Sequence, residues 1–229
     1  ARGMATSGAT SGSTTFSGNV TDMLKIQGPS NGGGTGLQFG EGAYTIEFWI
    51  KTTANYGWIM HNAQNNTGFR LCIGSNGGGG NDGKIQFNEQ VSNSDDYSYG
   101  TSTINDGQWH HVAISRPSSG IPKIFIDGTH EGQGSNGSRN ISSNDDCWIG
   151  RRYTGGGYAL NGQLSNFRVT GAALYTSNFT PTTSPLTQTG DTKLLFLQSD
   201  TDPLASTVTP GTISYTGGTM TATADNPFS

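Results

Sequence analysis

The chain has 229 residues, of which 12% are charged and 36 are glycine, and its formal net charge is −4. That length suits one large β sandwich or one domain with extensions. A surface so poor in charge must be covered by Ser, Thr, Asn and Gly, and long amphipathic helices are excluded. The twelve Lys and Arg residues are scattered, which argues against a nucleic acid partner, and the apolar stretches are too short for membrane insertion as a helix. No charged-then-apolar leader opens the chain, so the expectation is a soluble protein without an export signal.

Residues 1–18 are Gly, Ser, Thr and Ala with little to bury, which predicts a flexible N-terminal arm able to dock on a neighbour. A short apolar strand follows over 20–26, then the loop Gly28-Pro29-Ser30-Asn31-Gly32-Gly33-Gly34. In the segment 44–51, Tyr44, Ile46, Phe48 and Ile50 share one face and Thr45, Glu47, Trp49 and Lys51 the other. The same alternation groups Phe69, Leu71 and Ile73, then Ile85 and Phe87, Val112 and Ile114, and Ile124 and Ile126. Between these runs lie turns such as Ser75-Asn76-Gly77-Gly78-Gly79-Gly80-Asn81-Asp82-Gly83, and frequent strand-turn alternation favours an antiparallel sandwich over a helix-linked parallel sheet.

Trp148-Ile149-Gly150 and the run from Leu164 to Val169 continue the series. Lys193-Leu194-Leu195-Phe196-Leu197 is apolar on both faces, so it should be buried or centrally paired. After Gln198, Gly211-Thr212-Ile213-Ser214-Tyr215 and Thr219-Met220-Thr221-Ala222 flank Gly217-Gly218 and predict a terminal β hairpin. The division expected is an arm over 1–18, a jelly-roll domain over 19–200 and a C-terminal extension over 201–229. No period of 20–50 residues repeats, which disfavours a propeller or solenoid.

Candidate chemistry is sparse. A glycoside hydrolase needs two carboxylates roughly 5–10 Å apart, but the glutamates are Glu41, Glu47, Glu89 and Glu131, and Glu47 has no second acid at i+2. His110 and His111 are neighbours on a predicted strand, so their rings diverge, one packed and one at the surface. No catalytic residue, metal ligand or cofactor is assigned. Cys72 and Cys147 lie outside any metal-ligand spacing and are expected as free, half-buried thiols, although a bridge between them stays open.

Sugar recognition pairs aromatic faces with a few polar side chains in a concave site. Tyr97 and Tyr99, read as a loop before Asp106, and Arg151, Arg152, Tyr153 and Tyr158 around Gly155-Gly156-Gly157 are the candidate glycan-binding residues. The same residue types suit contact with a neighbouring subunit. Trp49 and Trp109 read as scaffold, and Trp58 is left between the two roles. Asn-x-Ser/Thr matches at Asn19, Asn65, Asn136, Asn140 and Asn178 are expected of this composition.

In order along the chain, "YTIEFWIK", "DGQWHHVAISR", "KIFIDG", "CWIGRR" and "LNGQLSNFRVTGAALYTSNFTP" resemble the laminin G-like, concanavalin A-like jelly roll, over about Tyr44 to Gln198. The resemblance implies an all-β fold of two antiparallel sheets, used mostly for binding and not for catalysis. Some such domains hold calcium at the rim, and whether Asp95-Asp96 or Asp145-Asp146 does so here stays open. Phe167 to Tyr175, Asn178-Phe179-Thr180-Pro181, "TKLLFLQSD" and Asn226-Pro227-Phe228 are similar to a subgroup in virion proteins of tailed phages of marine bacteria. That similarity implies a non-enzymatic module at the virion surface, in a capsid decoration, fibre or tail protein assembled in the host cytoplasm. Its implied partners are other virion proteins, further copies in a homo-oligomer, and host-surface glycans. The alternative is a secreted or cell-surface carbohydrate-binding lectin.

Overall fold

The computed structural model describes residues 11–74, 80–153, 157–215 and 217–229. In chain order the strands are β1 (Ser13–Ser17), β2 (Leu24–Ile26), β3 (Tyr44–Lys51), β4 (Gly57–His61), β5 (Gly68–Ile73), β6 (Ile85–Val91), β7 (Ser94–Tyr99) and β8 (Trp109–Arg116). They continue as β9 (Lys123–Ile126), β10 (Thr129–Gln133), β11 (Cys147–Ile149), β12 (Asn161–Thr170), β13 (Thr192–Phe196), β14 (Ser206–Val208), β15 (Ile213–Tyr215) and β16 (Thr221–Thr223). A nine-stranded sheet runs β10-β9-β8-β3-β12-β1-β16, with β13 and β14 branching from β12, and a seven-stranded sheet runs β15-β2-β11-β4-β5-β6-β7. All named strands pair antiparallel. Among the described residues no helix is long and apolar enough to cross a membrane.

The period-two stripes predicted from the sequence become the core. Tyr44, Ile46, Phe48, Ile50, Phe69, Leu71, Ile85, Phe87, Val112, Ile114 and Ile124 have no exposed surface. These residues belong to one apolar cluster between the two sheets. Each fully buried Phe, Ile or Leu contributes roughly 1.5–3 kcal/mol, so the filled stripe is the main drive for pairing the layers. The doubly apolar run Leu194–Leu197 is buried, and β13 sits between β12 and β14, consistent with its pattern.

Three sequence expectations need correction. Of the expected arm, residues 1–10 lie outside the described residues, but Ser13–Ser17 is not an arm. It is β1, held between β12 and β16 with Phe16 wholly buried. One aromatic side chain per strand suffices when its polar neighbours sit on the ladder: Thr14 pairs with Leu164 and Ala222. Second, the terminal hairpin does not form. β15 pairs with β2 in the smaller sheet and β16 with β1 in the larger; two unpaired edges elsewhere outcompete a short local turn, since an isolated two-stranded hairpin is marginal. Third, Tyr97 and Tyr99 belong to β7, not to a loop, because Ser92 and Asn93 adopt left-handed φ of 50° and 66° and turn the chain straight back onto β6.

One polar group is built into the interior. Arg116 donates to Glu89 Oε1 at 2.6 Å and to the carbonyls of Gly40, Gly42 and Arg139, while Tyr44 also donates to Glu89 at 2.7 Å. Burial pushes the Glu89 carboxyl up, and the Arg116 charge and the hydrogen bonds from Tyr44 and Arg116 oppose it. Such a network ties β3, β6 and β8 into one register; a buried pair of this kind favours specificity more than net stability.

The outer face of the larger sheet is also covered. Tyr175 and Phe179 stack at 3.6 Å and lie against His111. Beneath them Glu47 accepts from Arg168 at 2.6 and 2.9 Å and from the Tyr175 hydroxyl at 2.8 Å, and His111 lies 3.3 Å away. Burial pushes Glu47 up, but the His111 hydrogen bond and the Arg168 charge outweigh it and hold the carboxyl below its usual range. Glu47 is therefore a sealed structural anion.

Candidate glycan-binding face

The outer face of the smaller sheet is different. Because Phe69, Leu71 and Ile73 point inward, Arg70 and Cys72 must point outward, and the cross-strand register extends that face over the whole sheet. One row runs Lys25–Trp148–His61–Arg70–Asn88–Tyr97 across β2, β11, β4, β5, β6 and β7. A second row runs Trp58–Cys72–Gln86–Tyr99. At roughly 4.8 Å between strands, the first row is about 24 Å long.

Strict alternation would put Trp58 and His61 on opposite faces of β4. The register shifts between Trp58 and Met60, and this bulge turns both rings outward while Ile59 and Met60 stay in the core. Trp58 packs edge-on to His61 at 5.9 Å. Arg152 lies over the Trp58 ring at 5.8 Å, Lys25 over Trp148 at 5.8 Å, and Tyr153 tilts against Trp148 at 6.3 Å. Arg70 contacts Gln90 and sits 3.7 Å from Asp95. Tyr97 and Tyr99 stack at 6.1 Å, each about two-fifths exposed (40% and 39%).

Gly150 carries the chain from β11 onto this face. Its φ is +86°, and a Cβ there would meet the Phe16 ring at 2.4 Å, so only glycine fits. Its amide donates to Ile59 O and its carbonyl accepts from Leu160, which fixes the base of the segment bearing Arg151, Arg152 and Tyr153.

Several polar atoms on the face are buried without a hydrogen-bond partner: both ring nitrogens of His61, Arg70 Nε, Arg152 Nε, Trp148 Nε1 and Gln86 Oε1. Buried polar groups are nearly always paired, so these atoms are open to a partner from outside the chain; other such atoms, among them Trp49 Nε1, Glu89 Oε2 and Arg116 Nε, lie away from this face. Burial, with the charges of Arg70 and Arg152 acting the same way, brings the His61 imidazole down to about 3 and leaves it neutral. Cys72 is buried among these groups and its thiol is pushed up to about 12 by desolvation, which removes thiolate chemistry at neutral pH. Cys72 and Cys147 are both free, and both are buried rather than half-buried.

The predicted glycan residues thus fall into separate places. Tyr97 and Tyr99 line one end of the face; Arg152 and Tyr153 cover its middle beside Trp58 and Trp148. Arg151 instead reaches the Val20 carbonyl. Tyr158, at φ 61°, turns its ring to Tyr56 at 5.6 Å while its carbonyl accepts from Trp58 N. Of the predicted glycine run, Gly155 and Gly156 lie outside the described residues. Trp58, His61, Arg70 and Trp148 were not assigned to the site from sequence; Arg70 and Trp148 carry a signal, since each sits out of phase with the apolar stripe of its strand, whereas Trp58 and His61 share the face only through the β4 bulge.

The acid pairs are engaged elsewhere. Asp96 accepts from the amides of Ser135 and Asn136, Asp145 from Asn65 and Ser143, and Asp146 from Gly28 while pairing with Lys25 at 3.5 Å. These contacts staple loops, and among the described residues no three His, Cys, Asp or Glu side chains converge as a metal site.

The profile of the concanavalin A-like lectin/glucanases superfamily matches residues 28–178. Neurexin-2 of Mus musculus and of Homo sapiens are each 30% identical over 105 residues, 45% of this chain but 6% of theirs. The chain therefore spans a small fraction of the length of these curated relatives. Among solved structures, a Bacteroides ovatus protein proposed to bind carbohydrate aligns with TM-score 0.60 at 18% identity, over 93% of this chain and 60% of that one. Domains LG4-5 of the mouse laminin alpha1 chain align with TM-score 0.53 at 16% identity over 76% and 48%. The SAP-like pentraxin of Limulus polyphemus aligns with TM-score 0.53 at 22% identity over 73% and 79%. At these identities the structural likeness concerns the fold.

Proposed function

Because this chain belongs to the concanavalin A-like lectin/glucanases superfamily, we propose that it is a non-enzymatic carbohydrate-binding module that uses the outer face of its smaller sheet. The observation that carries this reading is the aromatic row with buried, unpartnered polar atoms around His61. Flat rings of Trp148, Tyr97 and Tyr99 suit the apolar faces of sugars, and Arg70, Arg152 and Gln86 suit their hydroxyls. The length of the row suits an oligosaccharide.

Catalysis is disfavoured by spacing. On this face Asp95 lies at β7 and Asp146 beside β11, four strand spacings apart in the sheet order. That is about 19 Å, against at most about 10 Å for a working carboxylate pair. Both acids are also committed to cationic neighbours, Arg70 and Lys25.

We place the module at the surface of a phage virion, as a homo-oligomeric capsid decoration or fibre or tail component bound to other virion proteins. Support comes from the residues of the 167–181 segment, "TKLLFLQSD" and Asn226-Pro227-Phe228, which resemble a subgroup found in virion proteins of tailed phages. A secreted or cell-surface carbohydrate-binding lectin is the competing reading; the Bacteroides ovatus protein proposed to bind carbohydrate supports the sugar-binding part that both share.

A glycan array probed with the purified chain tests binding: retention of at least one oligosaccharide class, lost in Trp148→Ala, is expected, and a blank array overturns the proposal. Mass spectrometry of purified particles tests location, and absence of the chain from them leaves the secreted reading.

A further inference from the structure

We infer that the face around His61 takes an anionic saccharide, with a carboxylate or sulfate group of the sugar seated between Arg152 and Arg70. This rests on the carbohydrate-binding reading above and specifies its ligand.

The first ground is the balance of donors and acceptors. Of the buried unpartnered atoms, Arg70 Nε, Arg152 Nε and Trp148 Nε1 can only donate, Gln86 Oε1 can only accept, and neutral His61 offers one of each. Donors outnumber acceptors. A sugar hydroxyl brings a donor along with its two acceptor lone pairs, whereas a carboxylate or sulfate brings acceptors alone and answers the same excess with charge-assisted bonds.

The second ground is charge. The chain as a whole is −4, yet Lys25, Arg70, Arg151 and Arg152 all lie on or beside this face. Lys25 is paired with Asp146 and Arg70 with Asp95, and Arg151 is engaged at Val20. Among the described residues no carboxylate pairs with Arg152, which rests on the Trp58 ring. Its charge acts on both His61 and Arg70. A locally uncompensated guanidinium on an acidic protein, backed by an aromatic ring, is poised for a planar anion. His61 completes the set: at 1% exposure with both nitrogens unpartnered, it holds a donor edge-on to the Trp58 ring that Arg152 covers.

The test is titration calorimetry of the intact chain with a uronic-acid oligosaccharide, its carboxyl-reduced counterpart, a sulfated oligosaccharide and its desulfated counterpart. Wild type should bind at least one charged form roughly tenfold or more tightly than its neutral twin, the worth of one charge-assisted hydrogen bond. Arg152→Gln should erase that preference, Arg152→Lys should restore part of it, and an unchanged thermal midpoint would show that the fold is intact. Which charged form is preferred distinguishes carboxylate from sulfate. Equal affinity for charged and neutral twins, or a preference that survives Arg152→Gln, overturns this inference while leaving carbohydrate binding in place. No binding of any saccharide overturns both.

Discussion

At the scale of single residues, the informative feature is contrast between buried polar groups that are satisfied and those that are not. Glu47 and Arg168 pair with each other and with further partners, whereas neither ring nitrogen of His61 meets one. Its titration makes a signed prediction. The folded imidazole sits at about 3 because of burial and the nearby Arg70 and Arg152 charges, against 6.5 as the ordinary value. The unfolded chain therefore binds the proton first, so His61's contribution is fully present above pH 6.5 and is lost as pH falls from there toward 3, by at most about 1.4 kcal/mol per pH unit. His110 has the opposite sign. Hydrogen bonding to Asp127 and Asp106 raises it, so it stabilises at low pH and ceases to do so as pH rises through its folded value. Urea denaturation between pH 7 and 4 should show a steeper loss of stability in wild type than in His61→Asn; parallel curves would remove His61 from the acid response.

At the scale of elements, the ends of the chain complete the sandwich. β1 inserts between β12 and β16, while β15 and β16 close different sheets. β12 is long enough to serve two neighbours along one edge, β1 over Asn161–Leu164 and β13 over Phe167–Thr170. Phe16 is the side chain that commits β1 to the core. Phe16→Ala should cost about 3–5 kcal/mol by denaturant unfolding, and removal of residues 11–17 should yield insoluble or unfolded protein. A shortened chain with an unchanged midpoint would contradict this role for β1.

At the scale of the molecule, two outer faces are insulated by one core. The larger sheet is capped by Tyr175 and Phe179 over the Glu47–Arg168–His111 cluster, and the smaller presents the aromatic row. Substitutions should therefore separate stability from binding. Glu47→Gln breaks a buried pair and should cost about 3–5 kcal/mol of stability while leaving saccharide affinity unchanged at a temperature where the protein is folded. A parallel loss of affinity, measured by the same calorimetry, would mean that the faces communicate.

The alternating stripes Tyr44-Ile46-Phe48-Ile50 and Phe69-Leu71-Ile73 determined by themselves that the chain forms two packed β layers, because side-chain direction in a strand is a local property with a period of two. The same periodicity already marked Arg70, Gln86, Asn88 and Trp148 as facing away from the core. Which strands would be neighbours was not local. Only the tertiary structure set Trp148 beside His61 and His61 beside Arg70, through ladders joining segments up to 87 residues apart. Likewise the bulge that brings Trp58 and His61 to one face, and the capture of β1 and β16 by distant edges, follow from where unpaired backbone groups meet in space, which no window of the sequence contains.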